Sequence, residues 1–389
     1  MDKQLLRRNF LKLSATTALL PAFNFSSFGS PASSKDDKKK LIDLTSDGLN
    51  LTPKEYAELL VKLTEKDQFE ADYYSLGTCV EKLETKFAKL LGKEAAVFMP
   101  TGTLANHLAI RSLSGLNKRV IVQQESHVYN DTGDSSQVLS NLNLIPLAPD
   151  KATFTVDEVD AVVKRTESGR VASKVGVISI ESPVRRKSGE VFAYKQMQEI
   201  SKYAKTNDIK MHLDGARIFL ASAYEKIPVT DYTSLFDTVY VSLYKYFNAA
   251  CGAILAGPKS IIENMFHARR MFGSGLHQAW AFAAVADFYV DGFTERYAKS
   301  VTIAEELIKR FSSNNRFTVQ RIPSGTNIFR LTVKDITAES FIENLKSKGI
   351  VTRAAGKSTP NDLIVLVNES LLRSSAAELE EAFVKSLSK

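Results

Sequence analysis

The sequence predicts an α/β fold in which a mostly parallel sheet lies between helices. Short apolar segments with the pattern of strands alternate with longer amphipathic segments from residue 95 to residue 256. One such strand is Arg119–Gln123, and residues 195–204 form a helical segment that leads into the next predicted strand, at 209–213. Parallel strands joined by crossover helices produce this alternation. We therefore expect residues 41–290 to form a large domain of this kind, entered through an N-terminal arm.

A change in the pattern after residue 290 predicts a smaller α+β domain over residues 291–389. A long helical segment comes first, and short strands and helices then alternate over the rest of the chain. We expect this domain to cover the large one. Its predicted elements are helices near 294–311, 340–348 and 375–386 and strands near 317–322, 327–333 and 363–367.

The first 40 residues are predicted to be an export signal and a tether. Arg7 and Arg8 are followed by Phe10-Leu11-Lys12, which is a twin-arginine motif. The modestly apolar run at 13–25 is too short and too rich in Ser and Thr to span a bilayer, which takes about 20 apolar residues. Residues 26–40 are rich in Ser, Pro, Gly and charge. We expect the twin-arginine machinery to export the protein to the periplasm, and we expect no membrane span.

Composition excludes several other classes of protein. The chain is 44% apolar and carries 51 basic and 44 acidic residues, for a net charge of +7. Scattered charges of both signs indicate a solvated surface rather than a nucleic-acid-binding face. The five histidines show no metal-ligand spacing, so we expect no metal. The two cysteines, Cys79 and Cys251, give no disulfide framework, and we expect both to be free thiols.

A single lysine is the first candidate for chemistry. Lys245 is the only charged residue between Tyr240 and Gly257, and apolar strand-like runs lie on both sides of it. Loss of hydration there lowers the pKa of an amine and leaves it neutral for Schiff-base chemistry. A structural lysine at a strand end is the alternative.

An aspartate upstream favours the catalytic interpretation. Asp214 closes the alternating segment 209–213. Ligands of open α/β sheets bind outside the carboxyl ends of the strands, where Asp214 and Lys245 meet if their strands are parallel. An aspartate that keeps a pyridinium nitrogen protonated and a lysine that binds an aldehyde are the partners that pyridoxal phosphate needs. The alternative for Asp214 is an N-cap of the next helix.

The third element is a predicted phosphate site. Residues 95–100 have the pattern of a strand, and residues 101–110 that of a turn entering a helix. The backbone N–H groups of Gly102, Thr103 and Leu104, with the Thr103 hydroxyl, would form an anion site at the helix N-terminus.

These elements, with further sequence blocks in the same order, resemble the threonine aldolase/β-eliminating lyase family. The resemblance covers about residues 41–370 and implies a pyridoxal-phosphate-dependent enzyme of fold type I. It also implies a seven-stranded sheet and a homodimer or homotetramer. The blocks are 41–47, 92–103, 125–127, 212–217, Lys245, 269–275 and 324–328.

The resemblance also assigns roles to single residues. Lys245, His127 and Asp214 match the family's catalytic residues, with His127 stacking on the cofactor ring. Arg217 matches a residue that binds cofactor and substrate. Ser46 matches the serine that helps to hold the substrate carboxylate.

Other positions depart from the family. Val184 stands where the family usually has a histidine thought to serve aldol chemistry, and Glu369 closes the block that usually holds the arginine clamp for the substrate carboxylate. Tyr244 replaces the serine that commonly precedes the lysine. Arg217, Arg353 or the pair at 185–186 would have to replace the clamp, since a guanidinium suits a carboxylate.

The sequence therefore predicts a pyridoxal-phosphate-dependent lyase that acts on an amino acid. The expected reaction is threonine-aldolase-like, a retro-aldol cleavage of a β-hydroxy-amino acid to glycine and an aldehyde. β-Elimination on another amino acid is the alternative. An exported homologue that binds amino acid or cofactor without catalysis is a third possibility.

Overall fold

A seven-stranded sheet forms the centre of the larger part of the protein, as predicted. The computed structural model describes residues 41–67 and 70–387, so the twin-arginine motif lies outside the described residues. The strand order is β2-β8-β7-β6-β5-β3-β4, and only β8 runs antiparallel to its neighbours. The strands are β2 (Ala95–Met99), β3 (Arg119–Gln123), β4 (Asn143–Leu147), β5 (Val175–Glu181), β6 (Lys210–Asp214), β7 (Thr238–Ser242) and β8 (Ala253–Gly257).

Every residue of the central strands β5, β7 and β8 is buried. Helices cover both faces of a mostly parallel sheet, which explains why these strands are nearly continuous apolar runs. The helices of this part are α1 (Pro53–Asp67), α2 (Thr78–Leu90), α3 (Gly102–Ser114), α4 (His127–Asn130), α5 (Ser135–Ser140), α6 (Val156–Glu167), α7 (Tyr194–Thr206), α8 (Ile218–Glu225), α9 (Val229–Thr233), α10 (Lys259–Ile262), α11 (Met265–Met271) and α12 (Trp280–Val290), with a 3₁₀ helix at Arg185–Lys187.

The smaller part is built on a four-stranded antiparallel sheet of order β12-β13-β10-β9. Four phenylalanines from its helices and first strand pack in tilted or T-shaped pairs in its core: Phe311, Phe317, Phe341 and Phe383. Its elements are α13 (Phe293–Ser312), β9 (Phe317–Arg321), β10 (Ile328–Val333), α14 (Ala338–Lys346), β11 (Ile350–Val351), β12 (Arg353–Ala354), β13 (Asp362–Leu366), a 3₁₀ helix at Glu369–Arg373 and α15 (Ala376–Lys385).

The start of the arm packs with the smaller part. The two-residue strand β1 (Ile42–Asp43) pairs in parallel with β11. Ile42 and Leu44 are buried in the same apolar cluster as the four phenylalanines. Periodicity did not reveal this pairing, because a strand of two residues has no measurable alternation.

The arm then crosses to the large sheet. Its Gly48 lies against the loop after β7, where a Cβ atom would come within 2.3 Å of the Lys245 carbonyl oxygen. Only glycine permits this approach. Helix α1 begins at Pro53, and the Thr52 hydroxyl before it accepts a hydrogen bond from the Glu55 amide at 3.2 Å. The arm therefore delivers residues 45–60 to the edge of the sheet that carries Lys245.

Three further findings concern the described residues alone. No helix among them is both long enough and apolar enough to cross a membrane. No group of three or more His, Cys, Asp or Glu side chains among residues 41–67 and 70–387 is arranged to hold a metal. Cys79 and Cys251 are free thiols, and burial raises the pKa of Cys79 to about 11, so that it remains protonated.

Candidate active site

A cavity of about 1290 Å³ lies at the carboxyl edge of the large sheet. The arm, the segments after five strands of the large sheet and one face of the small sheet line it. Most of the predicted site residues meet there: Ser46, Thr103, His127, Asp214, Arg217, Lys245 and Arg353. Gly102 and Leu104 are not among its lining residues.

Lys245 follows β7, and its side chain is half-buried in the cavity wall. Its Nζ donates to the Tyr244 Oη at 3.2 Å and lies 4.3 Å from the centre of the Tyr244 ring. Burial lowers the pKa of the Lys245 amine, and the positive charge of Arg217 lowers it further. The lowered pKa of this amine agrees with the effect of lost hydration that the sequence predicts.

Asp214 ends β6, the parallel neighbour of β7, and is 3% exposed. Its Oδ2 accepts a hydrogen bond from Asn106 Nδ2 at 2.6 Å. Its Oδ1 accepts from the Ala216 amide at 3.2 Å, as an aspartate at the start of a turn does. The carboxylate is held from both sides at the cavity wall.

A buried chain of hydrogen bonds continues behind Asp214. Asn106 Oδ1 lies 2.8 Å from His212 Nε2, and His212 Nδ1 lies 2.8 Å from Thr238 Oγ1. Because the Asn106 amide nitrogen donates to Asp214, its oxygen must accept, so His212 carries its proton on Nε2 and accepts from the Thr238 hydroxyl. Burial lowers the pKa of His212 to about 4, which keeps the ring neutral. Asn106 and Thr238 thus fix both the tautomer of His212 and the position of Asp214.

We expect Asn106→Leu to weaken both folding and cofactor binding. The change leaves His212 Nε2–H and one Asp214 oxygen buried without partners, at a cost of about 1–3 kcal/mol for each group. Urea denaturation measures the loss, and cofactor titration measures the change in affinity. Thr238→Val, which removes only the far end of the chain, is the matched control and should cost less. An Asn106→Leu protein as stable as wild type would show that the chain does not hold Asp214.

The predicted phosphate site falls at the start of α3, where one of its three amides is already engaged. The Thr101 hydroxyl caps the helix and accepts from the Leu104 amide at 3.2 Å, so Leu104 N–H is not free for a phosphate. The amides of Gly102 and Thr103 lie in the first turn, where no intrahelical acceptor exists. A Cβ at Gly102 would come within 2.0 Å of the Tyr240 hydroxyl, so the helix can start this close to β7 only with glycine.

His127 begins α4 at the cavity, and a glutamate holds its backbone. Glu181 ends β5 in register with Asp214, and its Oε2 accepts from the His127 amide at 2.6 Å. Its Oε1 accepts from the Arg185 amide at 2.9 Å. His127 Nδ1 is buried and has no hydrogen-bond partner in the described part of the chain. A ring nitrogen without a hydrogen-bond partner is consistent with a histidine that makes contact through its ring face rather than through a nitrogen.

The same glutamate has a shifted pKa. Burial raises the pKa of Glu181 to about 7, and the negative charge of Asp214 contributes to the rise. Since hydrogen bonds from two amides favour the ionised form, Glu181 is a positioning residue at the cavity wall rather than a free acid.

Arg217 points to a carboxylate of the arm. Its Nε and Nη2 both lie 2.8 Å from Asp47 Oδ2, and Asn327 Nδ2 donates to Asp47 Oδ1 at 3.0 Å. Burial alone would raise the pKa of Asp47, but Arg217 outweighs it and holds the pKa below its usual value. Arg217 therefore faces the cavity already paired, which weakens the prediction that it clamps a substrate carboxylate.

The two remaining predicted residues differ in their availability. The Ser46 hydroxyl donates to the Gly48 carbonyl oxygen at 2.8 Å, although the residue lines the cavity. Arg353 is exposed on β12. It lies in register with Ile364, and Arg330 lies in register with the same isoleucine from the other side. Both arginines therefore project from one face of the small sheet towards the cavity, and Arg330 is paired with Asp362 at 3.2 Å.

Sequence reasoning missed three residues that build this site. Asn106, Asp47 and Glu181 each hold a predicted residue in place. Asp47 directly follows Ser46 in the quoted block 41–47, and Glu181 lies three residues before Val184. The sequence signal for Asp47 and Glu181 was an acidic residue close to a predicted site residue or turn, because a buried carboxylate needs a partner.

Known proteins that resemble this chain agree with this arrangement of the site. The family model described as beta-eliminating lyase matches residues 43–334. The chain belongs to the beta-eliminating lyase family. Its relatives include two low-specificity L-threonine aldolases. The one from Eremothecium gossypii is 28% identical over 73% of this chain and 73% of that protein. The one from Candida albicans is 29% identical over 57% of this chain and 60% of that protein. An uncharacterized Caenorhabditis elegans protein is 29% identical over 64% of this chain and 59% of its own length. The chain thus spans about three fifths of the length of two of these relatives.

A solved structure assigned as an L-allo-threonine aldolase from Listeria monocytogenes has a TM-score of 0.72 and 26% identity. The likeness covers 89% of this chain and 96% of that one. These findings confirm the predicted family and fold, and with them pyridoxal phosphate as the cofactor. The residues fit that group: Asp214 is placed for a ring nitrogen, Lys245 for an aldehyde and the first turn of α3 for a phosphate.

Proposed function

We propose that this protein is a pyridoxal-phosphate-dependent lyase that cleaves a β-hydroxy-α-amino acid to glycine and an aldehyde. The observation that supports it is the meeting of Lys245, Asp214 and the start of α3 in one cavity. Asp214 and Lys245 follow adjacent parallel strands. The aldolases named among its relatives support the same reaction.

Each residue would contribute a separate function. The cofactor, when bound, supplies an electron sink for cleavage of a bond to the α-carbon. Asp214, held by Asn106, would keep a proton on the ring nitrogen of the cofactor. Lys245, whose pKa is lowered by burial, would accept and return a proton at Nζ. His127 limits the cavity on one side, and its backbone is fixed by Glu181.

Val184 and Glu369 differ from the residues that the family usually has at these positions. These two differences favour a substrate other than threonine and keep β-elimination as the second candidate reaction. Val184 is fully buried and has no proton to exchange. Glu369 is paired with Arg296 at 2.7 Å, so this block cannot clamp a carboxylate. The residue that holds the substrate carboxylate decides which substrate bond lies perpendicular to the cofactor ring. In this chain that residue is not the family's usual arginine.

Turnover on a panel of amino acids tests the proposed reaction. The purified protein with added pyridoxal phosphate is incubated with β-hydroxy-amino acids and with amino acids that carry a β-leaving group. Glycine with an aldehyde supports the aldolase. A keto acid with ammonia supports the β-eliminating lyase instead. A cofactor spectrum with no product from any substrate would support the non-catalytic binder and contradict a lyase.

We further propose that Arg353 binds the substrate carboxylate. Arg353 has no ion-pair partner among the described residues, whereas Arg217 is paired with Asp47. Arg353→Leu should raise KM about 10- to 100-fold, since a charge-assisted hydrogen bond contributes about 1.5–3 kcal/mol. Steady-state kinetics on the best substrate measures the change in KM. Arg321→Leu is the control, because Arg321 at the end of β9 is already paired with Glu305 on α13. A KM that rises in Arg185→Leu but not in Arg353→Leu would move the clamp to the loop after β5.

We propose that the twin-arginine route exports the protein to the periplasm. Arg7, Arg8 and the Phe10-Leu11-Lys12 that follows support it. Cell fractionation of the full chain in hosts with and without this route tests the proposal. Retention in the cytoplasm by the Arg7→Lys/Arg8→Lys double variant is expected. Export that persists in the host lacking the route would contradict it.

We also propose a homodimer or homotetramer, as the family resemblance implies. Phe288 and Leu372, which are 48% and 37% exposed, line a second cavity of about 870 Å³ between α1, α2 and α12. Half of the residues that line this cavity are charged, so the proposal is carried by the family resemblance rather than by an apolar surface. Light scattering at micromolar concentration measures the mass, and a monomer would contradict the proposal.

A further inference from the structure

A lyase of the proposed kind must move two protons in addition to breaking a bond. One leaves the β-hydroxyl as the aldehyde forms, and one reaches the α-carbon as glycine forms. The residue at the position of the family's usual histidine, Val184, cannot move either. The inference that follows rests on the proposed function and concerns which side chain takes over this task.

We propose that Tyr244 is a catalytic acid–base residue that works as a pair with Lys245. Its Oη is the atom to which Lys245 Nζ donates, at 3.2 Å, and its ring lies beneath the same amine. Tyr244 is 49% exposed and lines the cavity, whereas its neighbours Tyr240 and Tyr246 are 3% and 1% exposed. The hydroxyl therefore contacts the reacting amine and also faces the space that a substrate enters.

The carboxylates of the cavity are already engaged. Both oxygens of Glu181 accept backbone amides, and both oxygens of Asp214 accept hydrogen bonds at the position suited to the ring nitrogen. The family resemblance implies that the His127 ring stacks on the cofactor. Asp47 is paired with Arg217.

The other two tyrosines of the cavity are also excluded. The Tyr56 hydroxyl accepts from the Ala250 amide at 3.2 Å and donates to the Ala281 carbonyl at 3.1 Å. The Tyr240 hydroxyl is buried against Gly102. Tyr244 is the remaining hydroxyl with a route to the substrate among the cavity-lining tyrosines that the structure describes.

The proton balance closes with these two residues. Neutral Lys245 accepts the phenol proton of Tyr244, and the phenolate oxygen then accepts the proton of the substrate β-hydroxyl. The Cα–Cβ bond breaks, and the β-carbon leaves as the aldehyde. The electron pair of that bond ends in a new C–H bond at the α-carbon, whose proton comes from the Lys245 ammonium. Both side chains return to their starting states, and no oxidant or reductant is needed.

Kinetics of Tyr244→Phe at saturating cofactor provides the first test. We expect kcat to fall by about 100-fold or more, as loss of a general acid–base does, with KM and cofactor Kd within about threefold of wild type. Tyr244→His, which keeps a proton-exchanging group, should recover part of the rate. Tyr73→Phe, a change at a residue 67% exposed outside the cavity, should leave it unchanged. An unchanged kcat in Tyr244→Phe, or a loss confined to cofactor Kd, would overturn the proposal and make Tyr244 a cofactor-holding residue.

A second test needs no turnover. Competitive amine labelling of the cofactor-free protein, read by mass spectrometry at the Lys245 peptide, gives the pKa of that amine. The Tyr244 hydroxyl raises this pKa, so Tyr244→Phe should lower it. The other charged or titratable groups around the pair, Asp47, Asp214, Arg217 and Tyr240, are the same in both proteins. An unchanged pKa would contradict the contact on which the pair depends.

The two tests separate failure of this inference from failure of the proposed function. If the wild-type protein cleaves no amino acid, the lyase proposal fails. The labelling experiment still decides whether Tyr244 and Lys245 share a proton. A pKa of Lys245 that is lower in Tyr244→Phe supports the pair, and an unchanged pKa overturns it.

Discussion

Lys245→Ala should abolish turnover and prevent covalent attachment of the cofactor. The amine is the only one on the cavity wall in the described residues, and burial and Arg217 both lower its pKa. Loss of its proton transfer alone lowers kcat by about 10²- to 10⁴-fold. Visible absorption spectra before and after borohydride, followed by peptide mapping, measure the attachment. Wild type should retain the reduced cofactor on the Lys245 peptide, and Lys245→Ala should retain none.

Lys259→Ala is the matched control for this change. Lys259 also follows a strand of the large sheet, but it is exposed and pairs with Glu263 at 3.5 Å. Its spectrum and rate should equal those of wild type. Folding should survive in Lys245→Ala, because removal of a half-buried amine relieves a desolvation cost. Covalent cofactor retained on another lysine of Lys245→Ala would refute the assignment.

The positions of Lys245 and Asp214 were predictable because two simple rules govern them. Strand periodicity located β6 and β7, and the parallel arrangement brought their carboxyl ends to one edge. Each rule depends on local sequence, so one chain was enough. The phosphate end followed in the same way from the strand and helix pattern at 95–110.

The groups that hold these residues were not predictable by the same rules. Asn106 reaches Asp214 from α3, and Thr238 reaches His212 from the neighbouring strand. These contacts depend on how helices pack on the sheet, which periodicity does not specify. The cap at Thr101 was missed for a different reason, since a threonine hydroxyl and an incoming phosphate compete for the same amide.

The pairing of Arg217 with Asp47 shows how tertiary contacts change a predicted role. Family resemblance assigned Arg217 to cofactor and substrate. In the structure the arm brings Asp47 to within 2.8 Å of it, while Asn327 from the small sheet donates to the same carboxylate. Three segments far apart in sequence therefore meet at one ion pair at the cavity wall.

Arg217→Leu should strongly destabilise the protein at neutral pH. It leaves the Asp47 carboxylate, 8% exposed, without its guanidinium. Removal of one partner of a buried ion pair costs about 3–5 kcal/mol, because an uncompensated charge remains. Urea denaturation at pH 7 measures the loss in the free energy of unfolding. The double variant Asp47→Asn/Arg217→Leu is the control. It should recover most of the loss, since the new amide oxygen still accepts from Asn327 and no charge remains buried.

The pH dependence of this loss follows from the pKa of Asp47. In wild type Arg217 holds that pKa below its unfolded value of 3.8, so the pair stabilises the fold above that pH and the stabilisation fades as pH falls through the folded pKa. In Arg217→Leu burial is unopposed by the guanidinium and raises the pKa, so the carboxyl takes up a proton on folding and the variant gains stability as pH falls. The deficit of Arg217→Leu relative to wild type should therefore shrink from pH 7 towards pH 4. A deficit that is constant over this range would mean that lost packing of the arginine stem, rather than a stranded charge, causes the destabilisation.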